Sequence, residues 1–239
     1  MRVLAVGAHP ADVELGCGGA LLAHRDRGDE IHLLVMARPG RTRLPGSRGE
    51  AEQVLAAEQL GATLHWGDFE DGAVPSTRES IAAVEAVLVS CGCDVVYGHA
   101  PEDSHQDHRA TAQSTLAAAR RSRQLLWYEL PTSLHFDPSI YVGLEGRLGA
   151  KLELLGIHRS QLDADGPIDL GAVAGQARHR GSQARVDHAE AFETHRFVWE
   201  LAPSPGLDAH AARAVPFGAR VLIDRRRRES GGALGEVAP

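Results

Sequence analysis

Short runs of β-branched and aliphatic residues alternate along the chain with longer stretches whose apolar positions recur at helical spacing. That rhythm is the signature of repeated strand–helix units and a mostly parallel sheet. MRVLAV, residues 1–6, reads as the first strand and is followed by a helix over about 15–27; IHLLVM, 31–36, is the second strand. A polar loop rich in Arg, Gly and Pro (37–46) leads into a helix over 47–60, which Gly61 ends as C-terminal glycines commonly do. A strand at 63–66, a helix at 77–89, a strand at 94–97, a helix opening near His105 and a strand at 124–129 continue the alternation. After Pro131 the pattern loosens to a strand at 139–142, a helix at 145–155 and an amphipathic stretch at 169–180. Parallel neighbours need crossover connections of one hand, so the spacing predicts an α/β, Rossmann-like doubly wound, mostly parallel sheet flanked by helices.

Composition narrows the class. A chain of 239 residues with 43% hydrophobic and 24% charged positions is a soluble globular type. Residues 1–201 are expected to form the domain, and 202–239 a C-terminal extension that is partly disordered. The formal charge is 25 − 32 = −7; the extension holds six Arg against four acids, so the body carries 19 − 28 = −9. The run RRRR at 225–228 reads as a solvated end of an acidic chain, and no nucleic-acid partner is expected. No apolar run approaches the roughly 18 to 20 residues of a membrane span, and the first residues form a strand where a signal sequence would carry charge. No membrane partner and a cytoplasmic location are expected. Cys17, Cys91 and Cys93 make no disulfide framework, and Cys91-Gly92-Cys93 is too tight for the usual metal or redox pair, so all three read as small buried residues.

Thirteen histidines stand out in so ordinary a composition. Two segments gather chemistry: Ala8-His9-Pro10-Ala11-Asp12-Val13-Glu14 directly after the first strand, and His99 to His108 directly after the strand at 94–97. Ligands of open α/β sheets bind beyond the carboxyl ends of the strands, and the first and fourth strands are neighbours across the switch point. His9, Asp12 and His108 would make a three-residue site of N and O donors with open positions, the form of catalytic rather than structural zinc. The plainer alternative makes these residues helix caps, which explains one residue per helix but not His99, His105 and His108 within ten positions. His24, His32, His65, His195 and His210 stand singly and read as surface or core residues; His135, His158, His179 and His188 are harder to dismiss. Gly16-Cys17-Gly18-Gly19 lacks the spacing of a dinucleotide fingerprint, and close packing of the first helix on the sheet explains it better.

At these residues the sequence resembles the LmbE-like, or PIG-L, family of zinc-dependent N-acetylglucosaminyl deacetylases. The family's A-H-P-D-D-x-E motif with its glycine-rich turn stands here as AHPADVELGCGG, and its D-x-H-x-D-H segment as Asp103-Ser-His105-Gln-Asp107-His108. FDPS at 136–139, Lys151, HRSQ at 158–161 and RGSQARVDHAEAF at 180–192 extend the similarity over about residues 1–200. The resemblance implies Zn2+ on His9, Asp12 and His108, His105 as the group that stabilises the oxyanion and protonates the leaving amine, and Asp107 as a carboxylate that orients a neighbouring imidazole. It implies hydrolysis of a linear amide, removing the N-acetyl group from a small-molecule amino sugar. Homo-oligomers are common in the family, and a homo-oligomer is an open expectation.

One departure matters. Where the family carries the Asp that takes a proton from water, this chain has Ala11, and a methyl group accepts no proton. Either the residue was substituted to stop turnover, or this is a natural variant in which Glu14, Asp107 or a substrate group serves as base. In both cases this form is expected to be impaired. Arg48 stands one position from the place of the family's substrate-contacting Arg and is the candidate substrate contact, with an exposed charge at a helix start as the alternative. Trp127 or Tyr128 is a candidate platform for a sugar ring. The competing functions are a non-catalytic, zinc-containing amino-sugar-binding protein, an amidase acting on a cysteinyl-sugar conjugate and, more distantly, a nucleotide-binding Rossmann protein.

Overall fold

In the computed structural model, residues 1–38, 48–162 and 168–199 are described. The expected extension, its RRRR run, His210 and nearly all of the 37–46 loop lie outside the described residues. The elements run β1 (Arg2–Gly7), α1 (Asp12–Asp26), β2 (Glu30–Ala37), α2 (Arg48–Leu60), β3 (Thr63–Phe69), α3 (Arg78–Cys91), β4 (Val95–His99) and α4 (Gln106–Ala118). They continue with β5 (Gln124–Tyr128), β6 (Ile140–Gly143), α5 (Leu148–Leu155), α6 (Arg159–Leu162), α7 (Leu170–Ala184) and β7 (Ala189–Phe197). The seven strands form one sheet in the order β3-β2-β1-β4-β5-β7-β6. β1 through β5 are parallel, and β7 is antiparallel to both of its neighbours.

The expected architecture is therefore present, mixed at one side. β4 is buried throughout and β1 from its second residue on, as strands covered by helices on both faces must be. One face carries Val3, Ala5, Leu33 and Tyr97 packed with Leu21, Leu22 and Leu154 of α1 and α5. The opposite face packs Leu4, Val6, Leu34 and Met36 against Val84 and Val87 of α3. Connections run outward from β1 to β2 and β3, and the next strand returns to the far side of β1, so the switch point falls between β1 and β4.

Three local features differ from the sequence expectation. β7 was not expected, because AEAFETHRF mixes charged and aromatic residues without clean alternation; its first four residues are buried and the rest are half-buried or exposed. Trp127 and Tyr128 lie in the core, Tyr128 donating its hydroxyl to the Val6 carbonyl at 2.8 Å, so neither is a platform for a ligand. Cys91 and Cys93 are joined as a disulfide, which corrects their reading as merely small buried residues; Cys17 is free and buried, as that reading has it.

α1 starts three residues earlier than expected and is broken at Cys17, whose φ of −140° is not helical. A break leaves main-chain groups without helical partners. Lys151 donates to the Leu15 carbonyl at 2.7 Å, and Glu190 accepts from the Gly19 and Ala20 amides, both at 2.7 Å. The two side chains also pair with each other at 2.6 Å, each almost fully buried. The glycines serve close approach, as expected: a Cβ at Gly16 would lie 2.1 Å from the Tyr128 ring, and one at Gly19 2.3 Å from Leu144. Removing one member of a buried ion pair strands the other charge, so Lys151→Met should lower stability by about 3–5 kcal/mol. Urea unfolding followed by circular dichroism measures this; a change within error would show that Glu190 is satisfied without the lysine.

Candidate metal centre

The carboxyl ends of β1 and β4 deliver two loops to one place. After β1 the chain turns through His9, Pro10 and Ala11 into α1, and Ala11 adopts a left-handed conformation, φ 76° and ψ −16°. Non-glycine residues rarely take that geometry, and Asp and Asn are the side chains most often found there. After β4 the chain runs from His99 to His105, which caps α4: its Nδ1 accepts from the Asp107 amide at 3.2 Å.

The side chains converge on one carboxylate oxygen. Asp12 Oδ2 accepts the His9 backbone N–H at 2.7 Å and lies 3.4 Å from His9 Nδ1, 3.6 Å from His108 Nε2 and 3.3 Å from His99 Nε2. The far nitrogens of the two ligand candidates are each held by another carboxylate. His9 Nε2 meets Asp107 Oδ2 at 3.0 Å and Asp71 Oδ1 at 3.2 Å, while His108 Nδ1 meets Asp103 Oδ2 at 3.2 Å. Carboxylates so placed fix ring orientation and leave the inner nitrogens facing a shared point. Asp107 is itself clamped by the Gly72 and Val74 amides at 2.7 and 3.2 Å, and Asp103 by Thr132 at 2.9 Å.

Three overlapping groups have donor atoms within 4.8 Å of one another: His9, His105 and His108; Asp12, His99 and His108; His9, Asp71 and Asp107. Hydrogen bonding separates them. His99 Nε2 already accepts the Ala8 amide at 2.9 Å, and burial lowers its pKa to about 4, so His99 is a neutral support stacked 4.3 Å from the His108 ring. In the third group, His9 Nε2 faces the carboxylates that orient the ring. Burial would depress His9, yet hydrogen bonds to Asp12, Asp71 and Asp107 prevail and raise its pKa to about 11, the mark of a strongly negative field where a cation would sit. Asp12, despite burial, is held well below the usual carboxylate range by His9 and His99. His105 is lowered by burial and by its neighbours His108 and His9, which favours its neutral form.

These groups floor a cavity of about 320 Å³ lined also by Pro10, Leu15, Leu130, Pro131, Gln161 and Ile168. Of the residues expected at the site, His9, Ala11, Asp12, His105 and His108 line this cavity, and Asp107 stands behind His9. Arg48 is the exposed first residue of α2 and is not among the described lining residues. Asp71 was missed, and only its position after β3 could have pointed to it. Asp103 was quoted as part of a motif without a role. His158 lies fully buried 3.7 Å from Glu14, while His32 and His65, read as single residues, meet at 3.2 Å. No helix among the described residues is long and apolar enough to cross a membrane.

The PIG-L family model, described as GlcNAc-PI de-N-acetylase, matches residues 4–119. The chain is 32% identical over 167 residues to a protein of Escherichia coli strain K12 named "Uncharacterized deacetylase YaiS", covering 66% of this chain and 90% of that protein. Among solved structures, the conserved protein TT1542 from Thermus thermophilus superposes with a TM-score of 0.75 at 26% identity, covering 87% of this chain and 99% of that one. N,N'-diacetylchitobiose deacetylase from Pyrococcus horikoshii gives 0.70 at 21% identity, with 81% and 83% covered, a likeness of fold.

The strained turn yields a prediction. A left-handed L-residue costs about 1–2 kcal/mol and glycine's extra entropy roughly 0.5–1 kcal/mol, so Ala11→Gly should raise stability by up to about 1 kcal/mol. Chemical denaturation decides it; destabilisation would mean that the methyl group's packing outweighs the strain.

Proposed function

The chain belongs to the PIG-L family of deacetylases, and from that premise we propose that it is a zinc-dependent hydrolase that removes the N-acetyl group from an N-acetylglucosamine-type amino sugar, impaired in this form by Ala11. The observation that carries the reading is the convergence of His9 Nδ1 and His108 Nε2 on Asp12 Oδ2, at 3.4 and 3.6 Å. Two imidazoles and one carboxylate, without thiolate and open toward a cavity, fit a catalytic zinc site. His9, Asp12 and His108 would hold the ion, which when bound supplies Lewis acidity toward an amide carbonyl and toward water.

The remaining residues divide the work. His105 commits Nδ1 to the Asp107 amide, so its hydrogen sits on Nε2. A neutral imidazole in that tautomer can donate to a carbonyl oxygen as charge develops there, and can pass its proton to the departing amine. Asp107 keeps His9 in place and accepts from the Gly72 and Val74 amides, which supports a positioning role for it. Glu14 is fully buried and accepts from Gln53, which supports a structural role for it rather than that of a substitute base. Among the described lining residues, Asp71 is the carboxylate that accompanies Asp12. The left-handed turn at residue 11 favours a reading in which Asp is the side chain this position suits.

Restoring that carboxylate tests the proposal. Ala11→Asp, loaded with zinc, should release acetate from N-acetylglucosaminides about 10² to 10⁴ times faster than the parent. Tight binding of such a sugar with no gain in rate would favour the non-catalytic binding protein instead. Asp12→Asn should lose the bound zinc measured by elemental analysis, and retention of one zinc per chain would remove Asp12 from the ligand set.

A further inference from the structure

Residue 11 is held from behind by a buried relay that lies outside the metal cluster. Its backbone N–H donates to Gln53 Oε1 at 3.0 Å, and the same amide group donates through Nε2 to Glu14 Oε1 at 2.7 Å. Both Gln53 and Glu14 are fully buried. The chemistry of the two bonds fixes the arrangement. A backbone N–H only donates, so Gln53 must turn its oxygen toward the residue-11 amide and its NH2 toward Glu14. The other Glu14 oxygen has no hydrogen-bond partner among the described residues and lies 3.7 Å from His158 Nε2. Next to Gln53 on α2, Glu52 accepts from the Ser160 backbone and hydroxyl, tying the α6 turn to the same helix.

The position anchored in this way is the strained one. Ala11 has its side chain in the wall of the cavity while its left-handed backbone departs from the path of α1. A non-glycine residue keeps such a conformation only where surrounding contacts over-determine it. Between Glu14, one turn along α1, and Gln53, on a neighbouring helix, the residue-11 amide has one fixed acceptor.

We propose that Gln53 is a positioning residue: oriented by Glu14, it locks the left-handed turn and aims the residue-11 side chain into the site. The inference rests on the deacetylase reading for its catalytic consequence, though not for the anchoring itself. Gln53 is not among the described cavity-lining residues and bonds to Ala11 and Glu14, so its route to the site is through residue 11.

The test uses the full chain with Gln53→Met, close in shape but without the hydrogen bonds, and Gln53→Ala as a second variant. In the chain as it stands, hydrogen exchange at the Ala11 amide should quicken at least tenfold in both variants, with exchange in β1 and β4 unchanged and zinc affinity within threefold by titration. In the Ala11→Asp background, Gln53→Met should lower kcat at least tenfold and leave KM within threefold. Unchanged protection at residue 11, an equal loss in KM, or global unfolding of both variants would overturn the proposal. If Ala11→Asp has no activity, the functional reading fails and the exchange measurement still decides the role of Gln53.

Discussion

The parallel pairing of β1 with β4, Val3 to Val95, Leu4 to Val96 and Ala5 to Tyr97, is the constraint on which the rest of the molecule depends. Residues 3 and 95 are far apart in sequence, and their register sets two loop origins side by side at the switch point of the sheet. The hydrogen bond from the Ala8 amide, just past β1, to the His99 side chain ties the carboxyl ends of the two strands together. His9 and Asp12 from one loop, and His105 and His108 from the other, can then share one small volume. A shift of a single residue in this pairing would turn His99 away from Asp12, because alternate residues of a strand face opposite sides.

Around that meeting point the chain places carboxylates in two tiers. Asp12 faces the imidazoles directly, while Asp103, Asp107 and Asp71 grip the outer nitrogens of His108 and His9. Asp107 and Asp103 are themselves held by main-chain amides and hydroxyls, so the rings have little freedom to turn. This is the physical sense of a preorganised site: its orientation is fixed before any ligand arrives, at the cost of concentrating negative charge. The field that raises the pKa of His9 is the same field that would favour a divalent cation.

The segments in the second half of the chain serve the same end from a distance. Lys151 and Glu190 mend the break in α1. Arg180 grips Glu129 through two bonds, at 2.7 and 2.6 Å, while stacked over Phe136. Ser160 binds Glu52 of α2, and Gln161 beside it reaches the cavity wall. Phe136, Lys151, Ser160, Gln161, Arg180 and Glu190 all occur in segments through which the sequence resembles the family, and in the structure nearly all of them support the site without entering it.

Strand periodicity and glycine placement sufficed for β1 to β5, for the helices between them, and for the prediction that the first and fourth strands are neighbours, because these depend on local patterning and on crossover handedness. The motifs singled out His9, Asp12, His105, Asp107 and His108, which the structure brings together beyond the carboxyl ends of β1 and β4. Local pattern failed for β7, whose buried Glu190 is tolerated only because Lys151 comes from a different element. It failed likewise for Asp71 and for the roles of Asp103 and Gln53, which lie on separate elements and acquire meaning from partners distant in sequence. A lone Ala11 could be read as a missing base, but its left-handed backbone and the side chain that anchors it exist only once α1 and α2 are packed together. The sequence by itself determined the order of elements and the chemical types gathered at the switch point. Only the tertiary structure decided which nitrogen of each histidine faces inward, since that choice is made by hydrogen bonds between residues that the chain brings together last.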